Sequence, residues 1–207
     1  MSAVGDPAAM CDGAASKVSK ETGVPLNVLR AITRTETGRA KGGEMRPWPW
    51  TVNMEGRGVW FDTEAQAQRY VFQHYRNGAR SFDIGCFQIN YRWHGQAFAS
   101  IEQMFEPLAN ARYAAEFLRT LHAEHNDWHA AVGAYHSRTH KYAARYLKRY
   151  KEVHRNLTQA DTAQAASNPR HNGFSLLQGA SVQGQAGSLM PQGTSGGGSL
   201  FAAPDEG

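Results

Sequence analysis

Apolar residues recur at three- and four-residue intervals through nearly all of residues 10–156, and the rhythm breaks clearly only once, between 47 and 61. Such spacing lines up one stripe of a helix, so the chain is constrained to a mainly helical body with one small β excursion. The pattern predicts a first helix from about Cys11 to Thr22, stopped by Gly23. A second runs from Leu26 to Thr37, with Pro25 in its first turn and Gly38 as its C-cap; Leu26, Leu29, Ile32 and Glu36 share one of its faces. In the break, Trp48-Pro-Trp-Thr-Val-Asn and Gly58-Val-Trp-Phe flank Met54-Glu-Gly-Arg-Gly, the pattern of a β-hairpin with a glycine-rich turn. Asp62 or Thr63 then caps a helix to about Tyr75, and Gly85 to Asn90 follows a loop. Ser100-Ile-Glu-Gln103 has the capping-box pattern, and Pro107 opens a helix carrying Leu108, Ala111, Ala115, Leu118 and Leu121 on one face. Asp127 caps another helix, and a last one carries Tyr142, Tyr146, Arg149 and Val153.

Near Leu157 both periodicity and charge disappear. Ala-Gln-Ala-Ala-Ser-Asn-Pro, Gln-Gly-Gln-Ala-Gly-Ser and Gly-Thr-Ser-Gly-Gly-Gly-Ser follow in turn. A stretch of this kind buries too little apolar surface to offset its backbone entropy. Three regions are therefore expected: a flexible N-terminus over 1–9, a helical domain over 10–156, and a disordered low-complexity tail over 157–207. Apolar islands at Phe174-Ser-Leu-Leu177, Leu189-Met190 and Leu200-Phe201 interrupt the tail, either as partner-docking segments or as residual stickiness. No apolar run approaches the ~18 residues of a membrane span, and Met1-Ser-Ala-Val-Gly-Asp lacks the basic start and apolar middle of a signal peptide. Residues 1–156 hold 21 Lys and Arg against 15 Asp and Glu. A basic body suits an anionic partner such as a nucleic acid, an acidic lipid or an acidic polymer, although a solvated surface with a mild excess accounts for it equally. Cys11 and Cys86 permit either one disulfide across a long loop or two free thiols.

Glu36 is the outstanding candidate for chemistry. It lies on a face that otherwise reads as core, and in the last turn of its helix, where the macrodipole disfavours negative charge. Both effects push a carboxyl pKa up, and a carboxylic acid still protonated near neutrality is what a glycosidic leaving oxygen requires. The alternative is a structural ion pair with Arg34, Arg39 or another cation.

Three stretches bear on that choice: Ala31-Ile-Thr-Arg-Thr-Glu-Thr-Gly38, Asp83-Ile-Gly-Cys-Phe-Gln-Ile-Asn90 and Ala131-Val-Gly-Ala-Tyr-His-Ser137. In this order and spacing they resemble the soluble lytic transglycosylase (SLT) family, which usually reads Glu-Ser, Gly-Leu-Met-Gln and Ala-Tyr-Asn at these places. Asn110-Ala-Arg-Tyr-Ala-Ala-Glu-Phe-Leu118 resembles the helix preceding the third motif, and the likeness covers roughly residues 11–150. It implies a lysozyme-like α+β fold with Glu36 as the single catalytic acid. Thr37 keeps the hydroxyl of the usual Ser in a supporting role. Gly85 lets the chain pass close to a sugar, Gln88 binds substrate through its amide, and Phe87 replaces the usual Met. Asn90 closes the second stretch as a further supporting residue. Tyr135 matches the Tyr whose hydroxyl bonds the catalytic carboxylate, whereas His136 stands in place of Asn beside the N-acetyl group. Cys86 replaces Leu, which makes it a suitable disulfide partner for Cys11.

The implied reaction is cleavage of peptidoglycan between N-acetylmuramic acid and N-acetylglucosamine. Glu36 gives its proton to the bridging oxygen, then takes one from the C6 hydroxyl as a 1,6-anhydro ring closes. No cofactor is implied. A hydrolytic lysozyme-like muramidase would need a second carboxylate, for which Asp83 and Glu55 are candidates, each more simply read as a turn or capping residue. A murein-binding factor that no longer cuts is a further alternative. Because murein lies outside the inner membrane, a periplasmic location follows from the substrate, with a signal already removed. Small dedicated members of the family open the wall for flagella or secretion machines; such a role, with the tail docking flagellar rod or secretion-system proteins, is expected by analogy.

Trp48, Trp50, Trp60, Phe87, Tyr91 and Trp93 crowd the hairpin and the second motif, as sugar platforms or as core. His122, His125 and His129, with His136 and His140 further on, do not form a metal pattern, and no metal is expected. Tyr142-Ala-Ala-Arg-Tyr-Leu-Lys-Arg-Tyr-Lys151 reads as core tyrosines with cations outside rather than as a nucleic-acid surface.

Overall fold

A computed structural model describes residues 6–41 and 43–167 of the 207. Helix α1 (Pro7–Thr22) starts earlier than the periodicity indicates, because Pro7 at its first turn and Asp6, whose carboxylate accepts from the Ala8 N–H, form a complete N-terminal cap. It stops at Gly23, whose φ of 77° reverses the chain. Helix α2 (Leu26–Thr37) buries Leu29 and Ile32 but leaves Leu26 exposed. Strands β1 (Arg39–Lys41) and β2 (Glu44–Arg46) form an antiparallel pair that the sequence reading did not expect, its signal being no more than the Gly42-Gly43 dipeptide between them.

The main sheet is antiparallel, in the order β4-β3-β5-β6. Strands β3 (Thr51–Met54) and β4 (Arg57–Trp60) are the expected hairpin, and both turn residues, Glu55 and Gly56, have positive φ as a tight two-residue turn requires. Helix α3 (Glu64–Arg76) follows behind a complete capping box between Thr63 and Gln66. Strands β5 (Phe82–Ile84) and β6 (Ile89–Asn90) make the second motif a short hairpin. Then come α4 (Tyr91–His94), α5 (Ile101–Phe105), α6 (Pro107–His125), α7 (Trp128–His136) and α8 (His140–Ser167).

Helix α6 forms the centre. Its buried stripe of Ala111, Ala114, Ala115, Leu118 and Leu121 packs against α1 on one side and α7 on the other, and the alanines let the backbones approach closely. Helix α8 covers α2 and α7. It also runs past the expected boundary at 157. Thr-Gln-Ala-Asp-Thr-Ala-Gln adds turns to an existing helix without a new nucleation cost, and Asp161 pairs with Arg30 of α2 at 3.0 Å. The apolar islands lie outside the described residues. Among the described residues no helix is long and apolar enough to cross a membrane.

Candidate active site

The last turn of α2 delivers Glu36 to a cleft of ≈ 440 Å³. The sheet supplies Asn53, Trp60, Asp83 and Asn90; α4 supplies Trp93 and His94; α6 and α7 supply Phe117, Tyr135 and His136. A larger hollow of ≈ 510 Å³ against α3 is lined by Arg69, Phe72, Gln73 and Arg76 and holds no carboxylate. The cleft is therefore the place where acid–base chemistry can occur.

Glu36 keeps only part of its surface open to the cleft. Burial is the main cause that pushes its carboxyl up to about 7; the nearby charge of Asp83 adds to this, while Tyr146 and Arg149 oppose it. The cations expected as structural partners are engaged elsewhere. Arg34 grips Asp12 through two bonds of 2.7 and 2.9 Å, and Arg39 lies 3.6 Å from Asp62 and over the ring of Trp48. An acid with a pKa near 7 at a cleft wall can give a proton at neutral pH and take one back.

Several expected roles change. Tyr135 does not orient Glu36 by a hydrogen bond: its hydroxyl donates to the Phe87 carbonyl at 2.7 Å, which ties α7 to the second motif. The hydroxyl that acts as a donor toward Glu36 is Tyr146, from α8, although it completes no hydrogen bond of full geometry. Phe87 points into the core, away from the cleft. Thr37 is also buried; its hydroxyl donates to Thr33 O at 2.8 Å and accepts from Trp48 N–H at 3.0 Å, while its carbonyl accepts from Trp60 Nε1. It therefore anchors the start of the sheet region on α2 instead of lining the cleft.

Gly85 is close to a side chain rather than to a sugar site. Its φ is +81°, and a Cβ there would lie 2.9 Å from Asn110 Nδ2. Asn110, fully buried on α6, donates to Ile84 O and Met104 O and accepts from Phe87 N–H. One side chain thereby holds the whole turn of the second motif, and Cys86 in that turn is joined to Cys11 of α1 by a disulfide. Gly38 is likewise retained for space. Its backbone is not left-handed, and a Cβ would lie 2.2 Å from Arg34 O.

Gln88, with φ of 48°, occupies a backbone region that costs a non-glycine residue about 1 kcal/mol or more. Its Nε2 donates to Thr51 O and Gly85 O, both at 3.0 Å. Two carbonyl acceptors identify that atom as the nitrogen, which leaves Oε1 as the acceptor available to a ligand. Gln88, Asn90, Tyr135 and His136 line the cleft with Glu36; Thr37, Gly85 and Phe87 support it from behind.

The aromatic residues divide by depth. Trp48, Trp50 and Phe87 are core, Tyr91 stacks on Phe82, and Trp60 and Trp93 remain exposed at the cleft, where flat faces can meet sugar rings. His136 stacks on Tyr146 at 4.3 Å, and burial lowers its pKa. His122 stacks on Trp128, and His129 faces Tyr150 and His154. Among the described residues no three His, Cys, Asp or Glu side chains converge as a metal site. Tyr146 and Tyr150 are core as expected, but Tyr142 is exposed.

The sequence reading missed four contributors: Asn110, Asn53, Tyr146 and His94. Asn110 had a readable signal, a polar residue on an otherwise apolar stripe. Asp83, expected as a turn or capping residue, sits in β5 and lines the cleft. Glu55 is in the hairpin turn as expected.

A helical body, a small antiparallel sheet and a buried acid in the cleft at their junction define a lysozyme-like protein. Residues 61–158 match the family model described as Transglycosylase SLT domain. Over that segment the chain is similar to the soluble lytic transglycosylase family, whose domain supports peptidoglycan-cleaving activity of the transglycosylase type. The matched segment contains Asp83, Gln88, Asn110, Tyr135 and Tyr146; Glu36 precedes it. No curated protein and no solved structure matches the chain.

Proposed function

We propose that this protein is a lytic transglycosylase that cleaves the β-1,4 bond between N-acetylmuramic acid and N-acetylglucosamine, with Glu36 as acid and then base. The observation that carries the reading is the state of Glu36: pushed up to about 7, in no salt bridge among the described residues, at the wall of a cleft with exposed tryptophans. Protonated Glu36 donates to the bridging oxygen as the C–O bond breaks, and the bonding electrons leave with that oxygen. The carboxylate then removes the C6 hydroxyl proton while that oxygen closes on the anomeric carbon. Gln88 Oε1 accepts from a sugar donor, and Trp60 and Trp93 stack against sugar faces.

The setting is the periplasm, where the enzyme opens the wall locally during assembly of a flagellum or secretion machine. The segment from 157 onward engages an assembly protein. The basic excess of residues 1–156 suits an anionic wall polymer.

The test is mass spectrometry of soluble products from purified murein sacculi, with wild type beside Glu36→Gln. Anhydromuramoyl products from wild type alone are expected, because an amide can neither donate nor recover the proton. Cleavage by Glu36→Gln would overturn the role of Glu36. Reducing ends from wild type would make the enzyme a hydrolase, and binding to sacculi without products would make it a non-cleaving wall-binding factor.

A further inference from the structure

Asn53, Asp83 and Asn90 are direct cross-strand neighbours on β3, β5 and β6. Side chains at such paired positions share one face of a sheet, and all three line the cleft that holds Glu36. Asn53 Nδ2 donates to Asp83 Oδ2 at 2.9 Å, and Asn90 Nδ2 donates to Asp83 Oδ1 at 2.7 Å. Each carboxylate oxygen thus receives one amide donor. No Lys or Arg side chain pairs with Asp83 among the described residues.

The row carries a penalty. By turning Nδ2 toward Asp83, both asparagines leave a buried Oδ1 without a partner among the described residues. Orphaned buried acceptors are destabilising, and an apolar or neutral residue at 83 would avoid the need for them. The arrangement holds one carboxyl group at the cleft at the expense of local polar satisfaction, the pattern of a residue retained for chemistry rather than for the fold.

We propose that Asp83 is a second catalytic carboxylate, whose ionised form meets the positive charge that develops on the sugar while Glu36 supplies the proton. The proposal rests on the glycan-cleavage reading above and departs from a mechanism carried by Glu36 alone. As the glycosidic C–O bond breaks, the anomeric carbon becomes positive, and a fixed negative charge in the cleft stabilises that state. The two asparagines preorganise the charge. No covalent bond to Asp83 is needed: the electron pair leaves with the bridging oxygen, which takes the Glu36 proton.

The division of labour between the carboxylates follows from their neighbours. Burial pushes the Asp83 carboxyl up from its ordinary value, and its two N–H donors, which favour the charged form, oppose that shift. Glu36 is faced by Asp83 from β5, Tyr135 and His136 from α7, and Tyr146 and Arg149 from α8. Two like charges in one cleft disfavour double ionisation, so the shared proton resides on Glu36, the residue with fewer donors.

The test is Asp83→Asn beside wild type, with two readouts: fragment release from sacculi and the midpoint of Glu36 titration, followed by carbon NMR of its carboxyl group. Release is expected to fall about 100-fold, the scale seen when one preorganised electrostatic group is removed. The Glu36 midpoint should move to lower pH because a like charge is lost. Undiminished release, or reduced release with an unmoved Glu36 midpoint, would overturn the proposal; the latter would mean that Asp83 only braces the sheet. If Asp83→Asn does not fold, Asn53→Ala replaces it, since it keeps the carboxylate and removes one donor. That variant should raise the Asp83 midpoint and slow release, and unchanged release would overturn the proposal. No fragments from wild type would overturn the glycan-cleavage reading and this role together, whereas fragments from wild type and undiminished release by the variant would overturn this role alone.

Discussion

Replacing Glu36 with Gln should stabilise the protein above neutral pH and leave its stability nearly unchanged in acid. In the unfolded chain the carboxyl ionises near its ordinary value of 4.5; in the folded protein burial pushes it up to about 7. A raised pKa means that the folded state holds the proton more tightly than the unfolded state. Folding is therefore undisturbed by this group below about pH 4.5 and loses stability as pH rises toward 7. At about 1.4 kcal/mol per pH unit, the interval from 4.5 to about 7 corresponds to about 3 kcal/mol. The figure is a ceiling, since the carboxylate keeps an edge on the cleft and water there offsets part of the burial. Glutamine has nearly the same shape and no charge, so the variant avoids this loss. Urea unfolding of both proteins at pH 4, 6 and 8 measures the difference directly. The curves should nearly coincide at pH 4 and diverge in favour of the variant by up to about 3 kcal/mol at pH 8, or roughly 6–12 °C in melting temperature for a domain of this size. A constant offset at all three values would refute the reasoning, because it would show that the Glu36 carboxyl has the same pKa in the folded and unfolded states.

Removing the disulfide by Cys11→Ala with Cys86→Ala should cost about 4 kcal/mol, because the bond closes a separation of 75 residues. Thermal melting measures this, and below the transition fragment release should persist, since Asn110 still holds the turn. Asn110→Ala should cost about 3 kcal/mol for three buried hydrogen bonds and also slow release, because Gln88 loses its platform; unaltered stability would show that another group supports the turn. Tyr146→Phe should move the basic limb of the pH–rate profile upward, because the Tyr146 hydroxyl lowers the Glu36 pKa and its loss favours the protonated acid.

The elements were largely legible in the residues. Repeating apolar positions marked the helical stretches of α2, α6 and α8, while Thr63, Ser100 and Asp127 announced helix starts that the structure contains. These signals are local, since each depends on residues within a turn or two of one another. The same locality explains the errors at the edges. Low complexity after Leu157 concealed a helix that only had to be extended, and two adjacent glycines were a faint sign of the β1–β2 pair.

The site was legible in its ingredients but not in its contacts. Glu36 was visible as a carboxylate on an apolar face, and the stretch around Gln88 through its resemblance to a family motif. Which tyrosine stands beside Glu36 depends on how α7 and α8 cross α2, and no periodicity within one helix encodes that crossing. Nor does alternation along a strand reveal the row of Asn53, Asp83 and Asn90, because it exists only through the register of β3, β5 and β6. Local pattern records which face of an element is apolar. The state of Glu36, by contrast, depends on burial and charge contributed by residues from Asp83 to Arg149, far apart in sequence and brought together only by the fold.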